Sequence, residues 1–291
     1  MAQKRVSIVL PVYNGADYVE ESIKSVLAQT YSEWELIIVN DCSTDETLAI
    51  CERFAKTDAR IKVITNETNR KLPNSLNIGF AEATGAYYTW TSDDNIYKPN
   101  AIETMVKCLE TDPEAVMVYS DYTTIDSEGN ACETVLLNDP EFNVTGNTCG
   151  ACFLYTAEIA EKVGKYDSDM FLAEDYDYWL RMLPLGKMIH ITDNLYYYRY
   201  HSQSLTETKK EVIKEQAYEV LEKNFQSVYD ISNKNNLTYE FFDYYMYTGS
   251  AHREETYKKL IGIKKGYKYY LLRRRIKNGV KRRIKRICGR Q

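Results

Sequence analysis

Between residues 6 and 91, four short apolar runs alternate with three stretches of helical spacing, and this constrains the fold more than any other feature. The runs are Val6-Ser7-Ile8-Val9-Leu10, Glu35-Leu36-Ile37-Ile38-Val39, Ile61-Lys62-Val63-Ile64 and Ala86 to Thr91. Short β-branched runs bounded by turn residues read as buried strands. Between them, Val19, Ile23, Val26 and Leu27 mark a helix within Asp17 to Gln29, and Leu48, Ile50, Cys51 and Phe54 line a second. Ser43 or Thr44 is placed to cap that second helix. A third runs from Leu76 to Ala83 and stops at Thr84-Gly85. Strand–helix alternation favours a doubly wound, mostly parallel α/β sheet flanked by helices. Ligands of such sheets bind beyond the carboxyl ends of the strands. The segments there are Tyr13-Asn14, Asp41 to Asp45 and Asp93-Asp94.

Further on, the pattern predicts a helix over 99–111, a strand over 115–121 and a hairpin turn at Ser127-Glu128-Gly129-Asn130. A loop-rich stretch at 138–157 precedes a short helix from Glu174 to Leu183, strands near 187–200 and an amphipathic helix over 207–227. The chain divides into residues 1–205, carrying the α/β sheet, and a helical region, 206–291.

Charge separates the same way. Residues 256–291 hold 15 of the 37 Lys and Arg and none of the 42 Asp and Glu. Leu272, Ile276, Val280, Ile284 and Ile287 recur three to four residues apart within this basic stretch, the pattern of an amphipathic helix on an anionic membrane surface. A nucleic-acid partner is not expected, because the acidic remainder would repel a long polyanion. The apolar run at Val6 to Val12 contains Ser7 and Pro11 and is too short for a signal peptide or membrane span. Seven irregularly spaced cysteines read as free thiols. These features predict a cytoplasmic protein, peripheral on the inner face of the cell membrane.

Several residues could carry chemistry. Asp93 and Asp94 repel one another unless a cation sits beside them, although either could cap the next helix. Asp41 could accept hydrogen bonds from a nucleotide or cap a helix. Glu174-Asp175 could be first-turn acids favoured by the helix dipole, or a general base. His201 could contact a metal or a pyrophosphate. Cys149-Gly150-Ala151-Cys152 lacks a second ligand pair for zinc. Tyr87, Tyr88, Trp90 and Trp179 could face sugar rings, or the tyrosines could simply belong to the core or the surface.

Taken in order, the segments Val6 to Gly15, Glu35 to Asp45, Asn77-Ile78-Gly79 with Ala83-Thr84-Gly85, Ser92-Asp93-Asp94, and Glu174-Asp175 with Trp179 and Arg181 resemble the family 2 glycosyltransferases of the GT-A fold. The resemblance covers residues 4–202. It implies a nucleotide-sugar donor, by default a UDP-sugar, a divalent cation (Mn²⁺ or Mg²⁺), and a carbohydrate or glycolipid acceptor in surface polysaccharide synthesis. Pro11, Val12 and Tyr13 would line the nucleotide pocket, and Asp41 would hold the base. Asp93 would face the ribose and diphosphate, Asp94 would bind the metal, and Lys71 and His201 would lie near the phosphates. Asp175 would be the catalytic base with Glu174 beside it, giving inversion at the anomeric carbon. The alternative is an inactive nucleotide-binding module acting as a partner subunit. A nucleotidyltransferase would carry a Gly-rich basic loop after the first strand, where this chain has Pro11-Val12-Tyr13-Asn14-Gly15.

Overall fold

The computed structural model describes residues 3–272, apart from 203 and 265. The first half is the predicted alternation: β1 (Val6–Val12), α1 (Val19–Leu27), β2 (Trp34–Asn40), α2 (Thr47–Ala55), β3 (Ile61–Thr65), α3 (Leu72–Ala81) and β4 (Tyr87–Trp90). These four strands run parallel in the order β3-β2-β1-β4, with Val12 opposite Asn40 and Val9 opposite Trp90. Successive side chains point to opposite faces of a strand. Val6, Ile8, Leu10, Leu36 and Ile38 therefore pack with α1 and α2, while Val9, Ile37 and Val39 pack with α3. Both faces are covered, which is why these strands read as continuous apolar runs.

Beyond β4 the sheet, expected to be mostly parallel, takes in antiparallel strands. The remaining strands are β5 (Ile96–Tyr97), β6 (Ala115–Ile125), β7 (Ala131–Val135), β8 (Phe153–Thr156) and β9 (Lys187–Arg199). β8 sits between β4 and β6 and is antiparallel to both, while β9 runs parallel to β6. β6 turns into β7 through the expected hairpin, so no crossover helix sets the direction there. The sheet is mixed and mostly parallel. α4 (Ala101–Thr111) covers the face carrying α1, and α5 (Ala157–Val163) and α6 (Glu174–Met182) cover the other.

The helix expected over 207–227 is divided into α7 (Leu205–Thr208), α8 (Lys210–Lys223) and the start of α9 (Phe225–Lys234). One break falls at Lys209 and a second at Asn224, whose amide donates to Asp177 and to the Val220 carbonyl, competing with the helical ladder. α3 begins at Leu72, ahead of the expected Leu76, because Pro73 is tolerated in a first turn.

α10 (Thr238–Thr248) and α11 (Arg253–Ile263) complete a helical region. Its core is not separate. Val220, Leu221, Phe241, Phe242, Tyr245, Leu260 and Tyr267 pack with Val144 and with Ala173, Tyr176 and Leu180 of the α6 segment. The basic stretch expected as one surface helix from 256 thus begins inside this core, with Thr256, Leu260 and Tyr267 buried. Ile276 and the apolar positions after it lie outside the described residues.

Candidate active site

The carboxyl ends of β1, β2, β4 and β9 meet along one rim. Pro11 and Val12 are buried, and the Val12 carbonyl accepts from the Asp41 N–H at 2.8 Å. Tyr13 stands 51% exposed above them. Asn14 follows with φ +53° and accepts from the Thr44 N–H at 2.8 Å, joining the loops after β1 and β2. Gly15 is required: a Cβ there would lie 1.8 Å from Asp93 Oδ2. The Asp93 carboxylate is pressed against the turn after β1.

Asp41 occupies the expected place with a different immediate duty. Its Oδ1 accepts from Asn66 Nδ2 at 2.8 Å and the Arg70 N–H at 2.7 Å, and its Oδ2 from the Lys71 N–H at 2.9 Å. It secures the 66–71 loop, holding Lys71 at φ +68° with its side chain exposed. Three of about four acceptor positions on the carboxylate are taken.

Asp94 shows the most distinctive electrostatics. Its Oδ2 lies 3.0 Å from His201 Nε2, while its Oδ1 is buried with no hydrogen-bond partner. Burial raises Asp94, and the His201 contact works against that rise. Burial, then the neighbouring Asp94, pushes Asp93 up to about 8. An orphaned buried carboxylate oxygen is costly. A hard cation fits it, since such ions take carboxylate oxygens and complete their shell with water and phosphate. Among the described residues no group of three or more His, Cys, Asp or Glu could hold a metal by itself. The donor set fits a cation that shares its shell with a bound diphosphate.

Arg199 was not anticipated, though it organises this corner. It is 1% exposed. Its Nε donates to the Asp94 carbonyl at 3.0 Å, Nη1 to the Asp126 and Ser127 carbonyls at 3.1 Å, and Nη2 to Glu21 at 2.5 Å. Its guanidinium also lies 4.5 Å from the Tyr18 ring centre, and the Tyr18 ring is 5.1 Å from that of His201. The end of β9 thereby fixes Asp94. The sequence signal was the Arg199-Tyr200-His201 segment, read only for its histidine.

At the start of α6 the two acids separate in role. Glu174 is buried and turned back to accept from the Leu172 N–H at 2.7 Å, stabilising Leu172 at φ +78°. Burial, then Asp175, pushes Glu174 up to about 8. Asp175 is half-buried and accepts from Asn147 Nδ2 and from the Tyr176 N–H, both at 2.7 Å. Burial raises it, and these donors pull it back. Of the pair, Asp175 is the one a substrate can reach.

The aromatic expectation is corrected in part. Trp179 and Tyr87 are core residues, 0% and 3% exposed, so neither can stack on a sugar; Tyr88 and Trp90 are half-buried. Cys149 and Cys152 are buried free thiols raised by burial, as a packed loop requires.

Residues 7–164, more than half the chain, match the sequence profile described as glycosyl transferase family 2. The chain belongs to this family. An uncharacterized glycosyltransferase of Haemophilus influenzae is 29% identical, over 90% of this chain and 94% of its own length. Among solved structures, Staphylococcus aureus TarS residues 1–349 superpose with a TM-score of 0.66 at 18% identity, covering 83% of this chain and 72% of that one. The mannosyltransferase PcManGT of Pyrobaculum calidifontis gives 0.61 at 18% identity, covering 93% and 84%. Both share the GT-A fold. The protein is a family 2 glycosyltransferase.

Proposed function

We propose that this glycosyltransferase takes a UDP-sugar and delivers the sugar, with inversion, to a hydroxyl of a carbohydrate or glycolipid acceptor. The observation that carries the reading is the buried, unpartnered Oδ1 of Asp94 at the strand-end rim. TarS has been crystallised with UDP-GlcNAc, and PcManGT with GDP-Man and Mn²⁺. Those ligands support a nucleotide-sugar and a divalent cation here.

Asp94, with His201 beside it, would hold Mn²⁺ or Mg²⁺. The bound ion neutralises charge that develops on the leaving diphosphate. Pro11, Val12 and Tyr13 line the nucleotide pocket. Asp41 keeps the 66–71 loop closed under it and presents its remaining acceptor position to the base, with Lys71 towards the phosphates. Asp93 faces the ribose. Asp175 accepts the proton of the attacking hydroxyl, whose oxygen forms the new bond to the anomeric carbon as the bond to the diphosphate breaks. One base and no protein nucleophile means a single displacement, hence inversion.

The acceptor side includes a membrane. Residues 256–291 carry the charge that attracts anionic lipid, at about 1 kcal/mol for each Lys or Arg near the surface. This charge supports a reading of the enzyme as peripheral on the cytoplasmic face, acting in surface polysaccharide synthesis. No helix among the described residues is long and apolar enough to cross a membrane.

The test is a panel of UDP-, GDP- and dTDP-sugars with and without Mn²⁺, reading released nucleoside diphosphate. Release from a UDP-sugar that needs the metal is expected. Release that ignores Mn²⁺, or none from any donor, would overturn the reading.

A further inference from the structure

The residue that holds the base comes from a loop the sequence left unassigned. Asn147 is exposed, yet its Nδ2 donates to Asp175 Oδ2 at 2.7 Å. It does not hang free. Gly146 before it has φ +146°, and a Cβ there would meet the Tyr244 ring of α10 at 3.6 Å. Thr148 after it donates its N–H to Asn143 Oδ1 at 3.1 Å. Asn143 is buried and donates Nδ2 to the Pro140 carbonyl at 3.0 Å, and its own carbonyl accepts from the Tyr176 hydroxyl at 2.8 Å. Adjacent residues of α6, Asp175 and Tyr176, are thus each tied to the 143–148 loop. That loop rests on the C-terminal helices.

We propose that Asn147 is the positioning residue of Asp175: its amide fixes the carboxylate's orientation and favours the ionised form that can accept a proton. This rests on the reading of Asp175 as base. A hydrogen bond to the charged form of a carboxyl favours that form. Burial opposes charge on Asp175. Glu174 beside it on α6, the Cys149 thiol and the Tyr166 hydroxyl are in turn raised by its charge, so all three stay neutral next to it. The Asn147 amide offsets burial most, followed by the Tyr176 N–H and Asp175's own backbone N–H. The backbone donors cannot turn the carboxylate towards the loop, whereas Asn147 does. The C-terminal helical region backs this loop, because Val144 packs in one apolar cluster with Phe241, Phe242 and Tyr245.

The experiment titrates Asp175 by ¹³C-carboxyl NMR in the full chain labelled at aspartate, the resonance assigned with Asp175→Asn. Asn147→Ala should raise its midpoint by about one pH unit. Asn147→Asp, of the same shape but without the donor and with a like charge, should raise it further. UDP release from UDP-GlcNAc with Mn²⁺ is followed in parallel, and its acidic limb should move up in the same order. Thermal melts of both variants check folding, which an exposed side chain should leave intact. Midpoints that stay put in folded variants would overturn the proposal. Turnover that survives Asp175→Asn would instead remove the base assignment, and the NMR midpoints would still decide whether Asn147 holds the carboxylate.

Discussion

At the scale of single residues, the paired acids at 174 and 175 do different work, and two substitutions separate them. Asp175→Asn should lower kcat by about 10²–10⁴ and leave nucleotide affinity unchanged, because a general base acts on the acceptor. Parallel turnover assays and UDP calorimetry measure both. Glu174 gives a stability signature. In the fold it keeps its proton up to about pH 8, whereas an unfolded glutamate releases it near pH 4.3. Between those values the unfolded chain binds fewer protons, so stability falls as pH rises. Glu174→Gln keeps an acceptor for the Leu172 N–H and removes this loss. Its melting temperature should exceed the parent's by more at pH 8 than at pH 5, and an equal difference at both would refute the buried-acid account. The acids themselves were legible because they sit at predictable strand and helix ends. Their partners were not: the Leu172 N–H is presented by a left-handed residue, and Asp41 is engaged by a loop from residues 66–71. Nothing local in sequence announces either.

Elements fared according to how local their causes are. The βα repeats through β4 follow from apolar period and turn residues, and they fold as read. The insertion of β8 between β4 and β6 depends on pairing across more than sixty residues, for which a strand of Phe153–Thr156 gives no register. Asn224 breaks a helix through a contact with Asp177 that only the folded molecule supplies. β9 carries the strongest prediction at this scale. Its last residue, Arg199, satisfies the carbonyls of Asp94, Asp126 and Ser127. Arg199→Met would take a donor from all three, although the Asp126 carbonyl keeps the Gly129 N–H, and would strip Glu21 of its partner, a loss of about 3 kcal/mol with the Asp94 loop loosened. Urea unfolding should show that loss, and Mn²⁺-dependent UDP binding should weaken in the fraction that stays folded. Unchanged binding would mean Arg199 serves stability alone.

For the whole molecule, the division at 205 is a change of secondary structure rather than of core, since α6 and the C-terminal helices share one apolar cluster. Truncation after Glu255 removes buried Thr256, Leu260 and Tyr267. Losing one buried leucine side chain typically costs 2–5 kcal/mol, so this truncation should unfold or aggregate. Truncation after Leu272 spares that core and removes ten Lys and Arg. It should stay folded and lose co-sedimentation with anionic vesicles; equal pelleting of the full and shortened chains would refute membrane attraction through this segment. The central claim concerns the rim, where strand ends present an aspartate, Asp94, with one buried, unpartnered oxygen. Calorimetric titration of UDP into the parent and Asp94→Asn, with and without Mn²⁺, tests it most directly. The parent should bind UDP markedly more tightly with Mn²⁺, and Asp94→Asn should abolish that gain while keeping its fold. An equal Mn²⁺-dependent gain in both proteins would contradict the account.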